Sequence, residues 1–473
     1  MTIPRVVVAA PGSGHGKTMI ATGLMAALRA AGDVVSPHKV GPDYIDPSYH
    51  ALAAGRVGRN LDPFLQSEQL VAPLLVHGAL TPEPADIAVI EGVMGLFDGA
   101  IGRAGFSSTA HVARLVQAPV ILVVDCAATA RSVGAIVHGF SRFDPDVRVA
   151  GVILNNVASA RHEAEARDGV ESTGVPVLGC VPRIPDVAVP SRHLGLVPAA
   201  ERQPEALAAV RALGELVGTH VDLAAVRSLA RTAPDLDVLP WRPQDVVPAG
   251  GSPPHAPRVA VAGGRAFSFA YAETAELLAA AGAEVVPFDP LRDDRLPDGI
   301  GGLLIGGGFP EMHAEALSGN DSLRTGIRQF AEAGGAIAAE CAGLLYLGRA
   351  LEELPMCGVL PLTGAMSGRL TLGYRSAVAL HDSVLCAAGE RVSGHEFHRT
   401  QVVVDGSLSP ATATAEAPAQ AWGWSTAQQV GVREGFVTER VHASYLHVHW
   451  AGHPRMAHRF VTAAATSRTG VLA

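Results

Sequence analysis

Residues 5–18 read RVVVAAPGSGHGKT, a β-branched run that gives way to glycines at 12, 14 and 16 and then to Lys17 and Thr18. The helical stretch MIATGLMAALRAAG follows from Met19. A strand, a glycine-rich turn and a helix in that order make a phosphate cradle, because the turn's backbone amides face inward and the helix N-terminus adds partial positive charge. Gly12, Ser13, Gly14 and Gly16 would line this cradle, Lys17 would reach a phosphate, and the Thr18 hydroxyl would ligate magnesium. The strict pattern has glycine at position 11, where this chain has Pro11, so the loop is a variant.

Lys17 and Lys39 are the only lysines among 36 Lys and Arg residues. A compact ammonium on a flexible stem suits a phosphate as a point charge where a planar guanidinium would not fit. Lys39, in HKVGPDYIDP directly after a second apolar run, therefore reads as another phosphate ligand. Carboxylates for magnesium are offered by Asp43 and Asp46 in that segment and by Glu91 at the end of DIAVIEG. Glu91 is the best placed, since a carboxylate leaving the C-terminal end of a buried strand faces the crevice where doubly wound sheets bind ligands. Asp98 lies on the glycine-rich loop that follows, EGVMGLFDG.

The first half alternates β-branched runs, starting at Arg5, Asp33, Asp86, Pro119, Val149 and Val175, with Ala/Leu-rich helical stretches. Such alternation predicts a parallel sheet with crossover helices on both faces. At 240–257 the sequence becomes PWRPQDVVPAGGSPPHAP, which neither a helix nor a central strand tolerates. From Arg258 the α/β rhythm restarts with RVAVAGG, EVVPFDP, GLLIGGG and GAIAAEC and later turns β-rich. The expected layout is a nucleotide-binding domain over 1–239, a linker over 240–257, a second α/β domain over 258–460 and a tail over 461–473. A net charge of −9 without any basic run removes the footprint of a nucleic-acid binder, leaving small molecules as the expected partners. Five cysteines without a CxxC pair suggest neither a disulfide framework nor a zinc site. No signal segment or apolar run of spanning length is present, so no membrane is expected and the location is expected to be a reducing cytoplasm.

In GAIAAECAGLLYL a strand runs into Cys341 and a helix leaves at once. That elbow would expose the sulfur, favour thiolate at the helix N-terminus, and aim the Ala342 amide at an oxyanion. LLIGGGFPE offers Gly307 and Gly308 for a second amide, and SYLHVHW offers His447 and His449 at alternate positions of one extended segment. One imidazole would take the thiol proton while the other orients it, which makes amide hydrolysis through a thioester plausible chemistry. GHEFH spaces His395 and His398 by three rather than four residues, and a metal reading is rejected. Cys126, Cys180, Cys357 and Cys386 lack a nearby base or elbow and are expected to be core residues.

Taken together, HKVGPDYIDP, EGVMGLFDG, GVILNNV, SRHLGLVPA, GGGFPE, AECAGLLYL, LGYR, GHEFH and SYLHVH resemble the cobyrinic acid a,c-diamide synthase family, in the family's order, over about residues 5–453. The resemblance implies that glutamine is hydrolysed in the C-terminal domain, that ATP phosphorylates a corrinoid carboxylate in the N-terminal domain, and that ammonia displaces the phosphate. The N-terminal half is also similar to dethiobiotin synthetase. By that likeness Lys17 and Lys39 hold phosphates, Thr18, Asp43 and Glu91 bind Mg²⁺, Asn155 contacts adenine, and Asp43, Tyr44, Asp46 and Asp98 meet the acidic corrinoid substrate. The C-terminal half is similar to the flavodoxin-like class I glutamine amidotransferases, with Cys341 as nucleophile and His447 as base. It departs from that class at His449, where the third triad residue is normally Glu, and at Ala339, where a glycine would accompany the nucleophile; the latter implies a less strained elbow. A homodimer is left open. The rival readings are amidation of other corrinoid side chains, as in cobyric acid synthase, or of a nickel tetrapyrrole, and, remotely, a partitioning-type ATPase, which would not need Cys341.

Overall fold

The computed structural model describes residues 2–183, 191–192, 195–196, 199–248, 255–404, 418–426 and 429–467. The motif SRHLGLVPA and the linker each lie partly outside these residues. The chain divides into two compact units, Met1–Trp241 and Arg242–Ala473.

In the first unit β1 (Arg5–Ala9), β2 (Val35–Val40), β3 (Arg59–Leu61), β4 (Ile87–Glu91), β5 (Val120–Asp125), β6 (Val149–Val157) and β7 (Val177–Pro182) form a seven-stranded sheet in the order β3-β2-β4-β1-β5-β6-β7. Every neighbouring pair is parallel. All residues of β1 to β4 are buried, and β1 and β4 accordingly carry continuous apolar runs, VVVA and IAVI, rather than alternating ones. The helices α1 (Lys17–Ala30), α2 (Asp46–Ala54), α3 (Glu68–Leu80), α4 (Thr109–Leu115), α5 (Val133–Phe143), α6 (Ala160–Glu171), α7 (Gln203–His220) and α8 (Leu223–Ala230) supply the crossovers and flank the sheet. β8 (Ser191–Arg192) and β9 (Gly195–Leu196) pair as a short ribbon. Since β1 lies between β4 and β5, the direction of winding reverses beside it, and a crevice opens at the carboxyl ends of these strands.

The second unit begins with α9 (Pro243–Val246), a single turn inside the stretch expected to hold no helix. Proline is compatible with a helix start, where its missing N–H costs nothing, and Pro243 occupies that position. β10 (Arg258–Ala262), α10 (Ala272–Ala280), β11 (Glu284–Phe288), β12 (Ile300–Ile305), α11 (Ala314–Gly319), α12 (Asp321–Glu332), β13 (Ala336–Glu340) and α13 (Ala342–Leu347) continue the α/β rhythm. After β14 (Ala350–Leu351) and β15 (Leu354–Pro355) come the long β16 (Leu362–Ala379) and β17 (Arg391–Val404), then β18 (Ala419–Trp424), β19 (Val432–Val437), β20 (Val441–Ser444), β21 (His447–Val448) and α14 (Arg455–Ala465). One twelve-stranded mixed sheet results: β11, β10, β12, β13 and β20 are parallel, and β19, β18, β16 and β17 extend it in antiparallel fashion. α14 continues past the boundary expected at residue 460, because Phe460, Val461 and Ala464 are buried and Phe460 and Ala464 pack over Gly302 of β12. Among the described residues no helix is long and apolar enough to cross a membrane.

Candidate active sites

The loop between β1 and α1 turns on Gly14 and Gly16, with φ of 87° and 84°, a left-handed conformation that favours glycine. A Cβ at Gly16 would overlap the Asn155 side-chain amide, which donates to the His15 carbonyl at 3.1 Å. Asn155, on β6 beside Asp125 of β5, thus braces the loop.

Strand register gathers the charged residues. Val8 of β1 and Lys39 of β2 are both paired with Glu91 of β4, so loop, ammonium and carboxylate meet at one end of the sheet. Lys39 Nζ donates to Asp46 Oδ2 at 2.5 Å, Glu91 Oε1 at 2.8 Å and the Gly92 carbonyl at 3.2 Å, and lies 3.9 Å from Asp43 Oδ2. The Thr18 hydroxyl donates to Glu91 Oε1 at 2.6 Å and approaches Asp46 Oδ2 at 3.3 Å. Lys17 Nζ donates to the Met94 carbonyl at 2.9 Å. Asp43 accepts from the backbone amides of Ile45 and Asp46 and so fixes the entry to α2. Tyr44 is buried beside it, while the exposed Asp98 accepts from the Gly95 amide at 3.0 Å and braces its own loop.

His50 was not singled out in the sequence, yet its Nε2 lies 2.6 Å from Glu91 Oε2 in a fully buried pair. The available signal was spacing: in α2, His50 comes one helical turn after Asp46 and shares its face.

Three carboxylates surround the Lys39 ammonium. Burial alone would lower Lys39, but Asp46, Glu91 and Asp43 outweigh it and hold the ammonium above its ordinary range. Burial likewise works against ionised Glu91, and Lys39 and the His50 hydrogen bond overcome it, keeping Glu91 below the usual carboxylate range. Asp46 is pushed up to about 7 by burial and by Asp43, against the pull of Lys39. Lys17 is lowered to about 8, by burial first and by the Lys39 charge second. Among the described residues no group of three His, Cys, Asp or Glu side chains is arranged to hold a metal unaided. A hydroxyl and a carboxylate 2.6 Å apart, within this excess of negative charge, nevertheless fit Mg²⁺, which takes one or two carboxylates and completes its shell with phosphate oxygens and water.

The second site is built where β13 ends. Cys341 has φ 51° and ψ −100°, an unfavourable region for a non-glycine residue that costs roughly 1–3 kcal/mol. The elbow is therefore strained despite Ala339, which simply continues β13 between Ile305 and Ala443. The Cys341 amide donates to the Ser444 carbonyl at 2.7 Å, which ties the elbow to β20. Backbone amides of Ala342 and Gly308 both point at the sulfur, the arrangement an oxyanion needs. Gly307 faces His447 so closely that a Cβ would overlap the imidazole Cε1. β17 covers the site from above the sulfur, with the Phe397 carbonyl 3.8 Å from Sγ, and its His398 stacks on Tyr445 with ring centroids 3.8 Å apart.

The expected thiolate bias is not realised at rest. The sulfur is 4% exposed, and burial, with smaller contributions from Glu311 and Glu340, pushes the thiol up to about 12. His447 is lowered to about 3 by burial and by His395 and His398. Thiol and imidazole are thus each neutral at rest, which suits general-base transfer rather than a standing ion pair. The two histidines expected to cooperate meet different carboxylates: His447 Nδ1 lies 3.8 Å from Glu340 Oε2, and His449 Nε2 lies 3.5 Å from Glu273 Oε2, with the His449 ring against Tyr271 at 4.2 Å. β21 spans only His447–Val448; His449 keeps an extended backbone, with φ −84° and ψ 106°, and caps the short turn of helix that follows. Cys126, Cys180, Cys357 and Cys386 are buried free thiols.

Two family models match, one per unit: the CobQ/CobB/MinD/ParA nucleotide binding domain over residues 6–197 and the CobB/CobQ-like glutamine amidotransferase domain over residues 258–455. The chain is 54% identical to a hydrogenobyrinate a,c-diamide synthase of Streptomyces coelicolor, covering 98% of each chain. It is 53% identical to that of Thermobifida fusca over 98% of each chain. It is 42% identical to a cobyrinate a,c-diamide synthase of Gloeobacter violaceus over 96% of each chain. With a phosphate cradle in one unit, a cysteine elbow in the other, and full-length relatives at this identity, the chain belongs to the a,c-diamide synthase family of hydrogenobyrinate and cobyrinate.

Proposed function

We propose that this chain is a glutamine- and ATP-dependent amide ligase that converts the a and c carboxylates of hydrogenobyrinic acid to amides in cobalamin biosynthesis. The observation that carries this reading is the pairing of a Cys341 elbow, faced by the Ala342 and Gly308 amides, with a separate cradle in which Lys17, Lys39, Thr18 and Glu91 converge. The metal-free substrate is preferred to cobyrinic acid because relatives at 52–54% identity carry its name, whereas those at 36–42% carry the other.

In the C-terminal unit His447 takes the Cys341 proton as the sulfur attacks the glutamine amide carbon. The amides of Gly308 and Ala342 stabilise the oxyanion, each such donor being worth about 3 kcal/mol. Ammonia leaves, and water hydrolyses the thioester to glutamate. In the N-terminal unit the corrin carboxylate attacks the γ-phosphorus of ATP, giving an acyl phosphate and ADP. Ammonia then attacks the acyl carbon and phosphate departs. Lys17 and Lys39 neutralise the transferring phosphoryl group and orient it, which is most of what this reaction requires. Mg²⁺, held by Thr18 and Glu91 with Asp43 nearby, would supply further charge neutralisation on the phosphates, and His50 keeps Glu91 turned towards it. Asn155 borders the nucleotide beside the loop, and Asp43, Tyr44, Asp46 and Asp98 face the corrinoid.

Incubation with glutamine, ATP and hydrogenobyrinic acid is expected to replace two carboxyl hydroxyls by amines, read as two successive mass losses. Failure of hydrogenobyrinic acid to react, or reaction only at other side chains, would overturn the assignment. A second expectation follows from Lys17, which burial holds at about 8. A bound triphosphate restores its charge, so ATP binding takes up a proton once the free protein has lost it. Affinity should therefore fall as pH rises past about 8, by up to about tenfold per unit. Calorimetric titration across that range checks this, and a flat profile would place Lys17 away from the phosphates.

A further inference from the structure

His447 becomes positive when it accepts the thiol proton, and the imidazole of His449 at the usual triad position cannot supply the negative charge that a carboxylate there would. Two carboxyl groups come close to the histidines. Glu340 Oε2 lies 3.8 Å from His447 Nδ1, and Glu273 Oε2 lies 3.5 Å from His449 Nε2. We propose that Glu340, the residue immediately before the nucleophile, is the positioning residue that orients His447 and balances its charge during proton transfer, in place of the carboxylate the class keeps after the histidine. The inference rests on the reading of Cys341 and His447 as the glutamine-hydrolysing pair.

Three observations support Glu340 over Glu273. Glu340 closes β13 in register with Ser444, the last residue of β20, so its side chain is carried to the segment that holds His447. Its carboxyl accepts hydrogen bonds from the Val448 amide and the Trp450 indole, which flank the histidines on that segment and fix the carboxyl relative to the imidazole. It also faces the reacting imidazole itself, whereas the carboxyl of Glu273 at the start of α10 lies beside His449, whose ring packs against Tyr271. Burial pushes the Glu340 carboxyl up to about 8, so the balancing charge comes from its ionised fraction, which an imidazolium beside it favours. The other titratable groups facing this centre are His395 and His398 of β17, towards His447, and Glu311, towards the thiol.

The test uses the full-length protein with Glu340→Gln, Glu340→Asp and Glu273→Gln. Glutamine hydrolysis is measured together with the rate at which a diazoketone glutamine analogue alkylates Cys341, followed by mass spectrometry. Glu340→Gln keeps an acceptor for the Val448 amide but cannot ionise. It is expected to lower kcat and the alkylation rate by about 100-fold with little change in the KM for glutamine. Glu340→Asp should recover part of the loss, and synthesis from ammonium salts should be unchanged. Glu273→Gln should stay within about threefold of the parent. Parent-like alkylation by Glu340→Gln, a loss that merely tracks its melting temperature, or a larger loss from Glu273→Gln would each overturn the proposal. A parent protein that hydrolyses no glutamine would instead defeat the underlying Cys341–His447 reading, before any variant is compared.

Discussion

Replacing Cys341 by Ala is expected to abolish amidation from glutamine while leaving amidation from ammonium salts near the parent rate. The sulfur is the only atom at the elbow that can form the thioester, and it is the atom at which the Gly308 and Ala342 amides point. Loss of a nucleophile of this kind costs at least about 10⁴-fold in kcat, because the imidazole and the amides then act on a weak water nucleophile. Alanine removes a single buried sulfur from the apolar cluster with Ile305, Ala339 and Tyr445, creating a small cavity that should leave the fold intact. Chromatographic assay of glutamate release and of amide product, with each nitrogen source, separates the two activities. Loss of both would mean that nitrogen release and carboxylate activation are not separate centres.

The second large effect is expected at Lys17→Ala, which should stop product formation with either nitrogen source. Lys17 opens α1 directly behind Gly16 and already reaches across to the loop that follows β4. Removing its charge leaves the phosphoryl group with Lys39 alone, and Lys39 is engaged by three carboxylates. Loss of a charge at the transferring phosphoryl group is worth about 10³-fold or more. Glutamine hydrolysis by the same variant, measured alone, should persist. A variant that still forms amide from ammonium salts at the parent rate would remove the loop from the reaction.

The fold was legible wherever local pattern and global packing agree. Continuous β-branched runs such as RVVVA mark strands buried on both faces, and PGSGHGKT between strand and helix marks the ligand end of the sheet. The domain end expected at residue 460 falls inside α14, whose last turn is held by packing against Gly302 of β12, far away in sequence. His50 and Glu340 escaped notice for a related reason. His50 lies outside the quoted motifs and Glu340 stands in AECAGLLYL only as the neighbour of the nucleophile; each matters through a partner, Glu91 or His447, that the fold brings alongside.

By itself the sequence determined which groups are available: a nucleotide loop followed by Lys17, a second lysine near the end of another strand, a strand-ending Glu91, and a cysteine between strand and helix. These features are local, since a glycine turn or a strand end is set by residues adjacent along the chain. The tertiary structure alone decided the charge states and the partners. Burial lifts the Cys341 thiol to about 12 and lowers His447 to about 3, and three carboxylates raise Lys39. Desolvation and Coulomb energy depend on what surrounds a group in space, and only the folded chain supplies those surroundings.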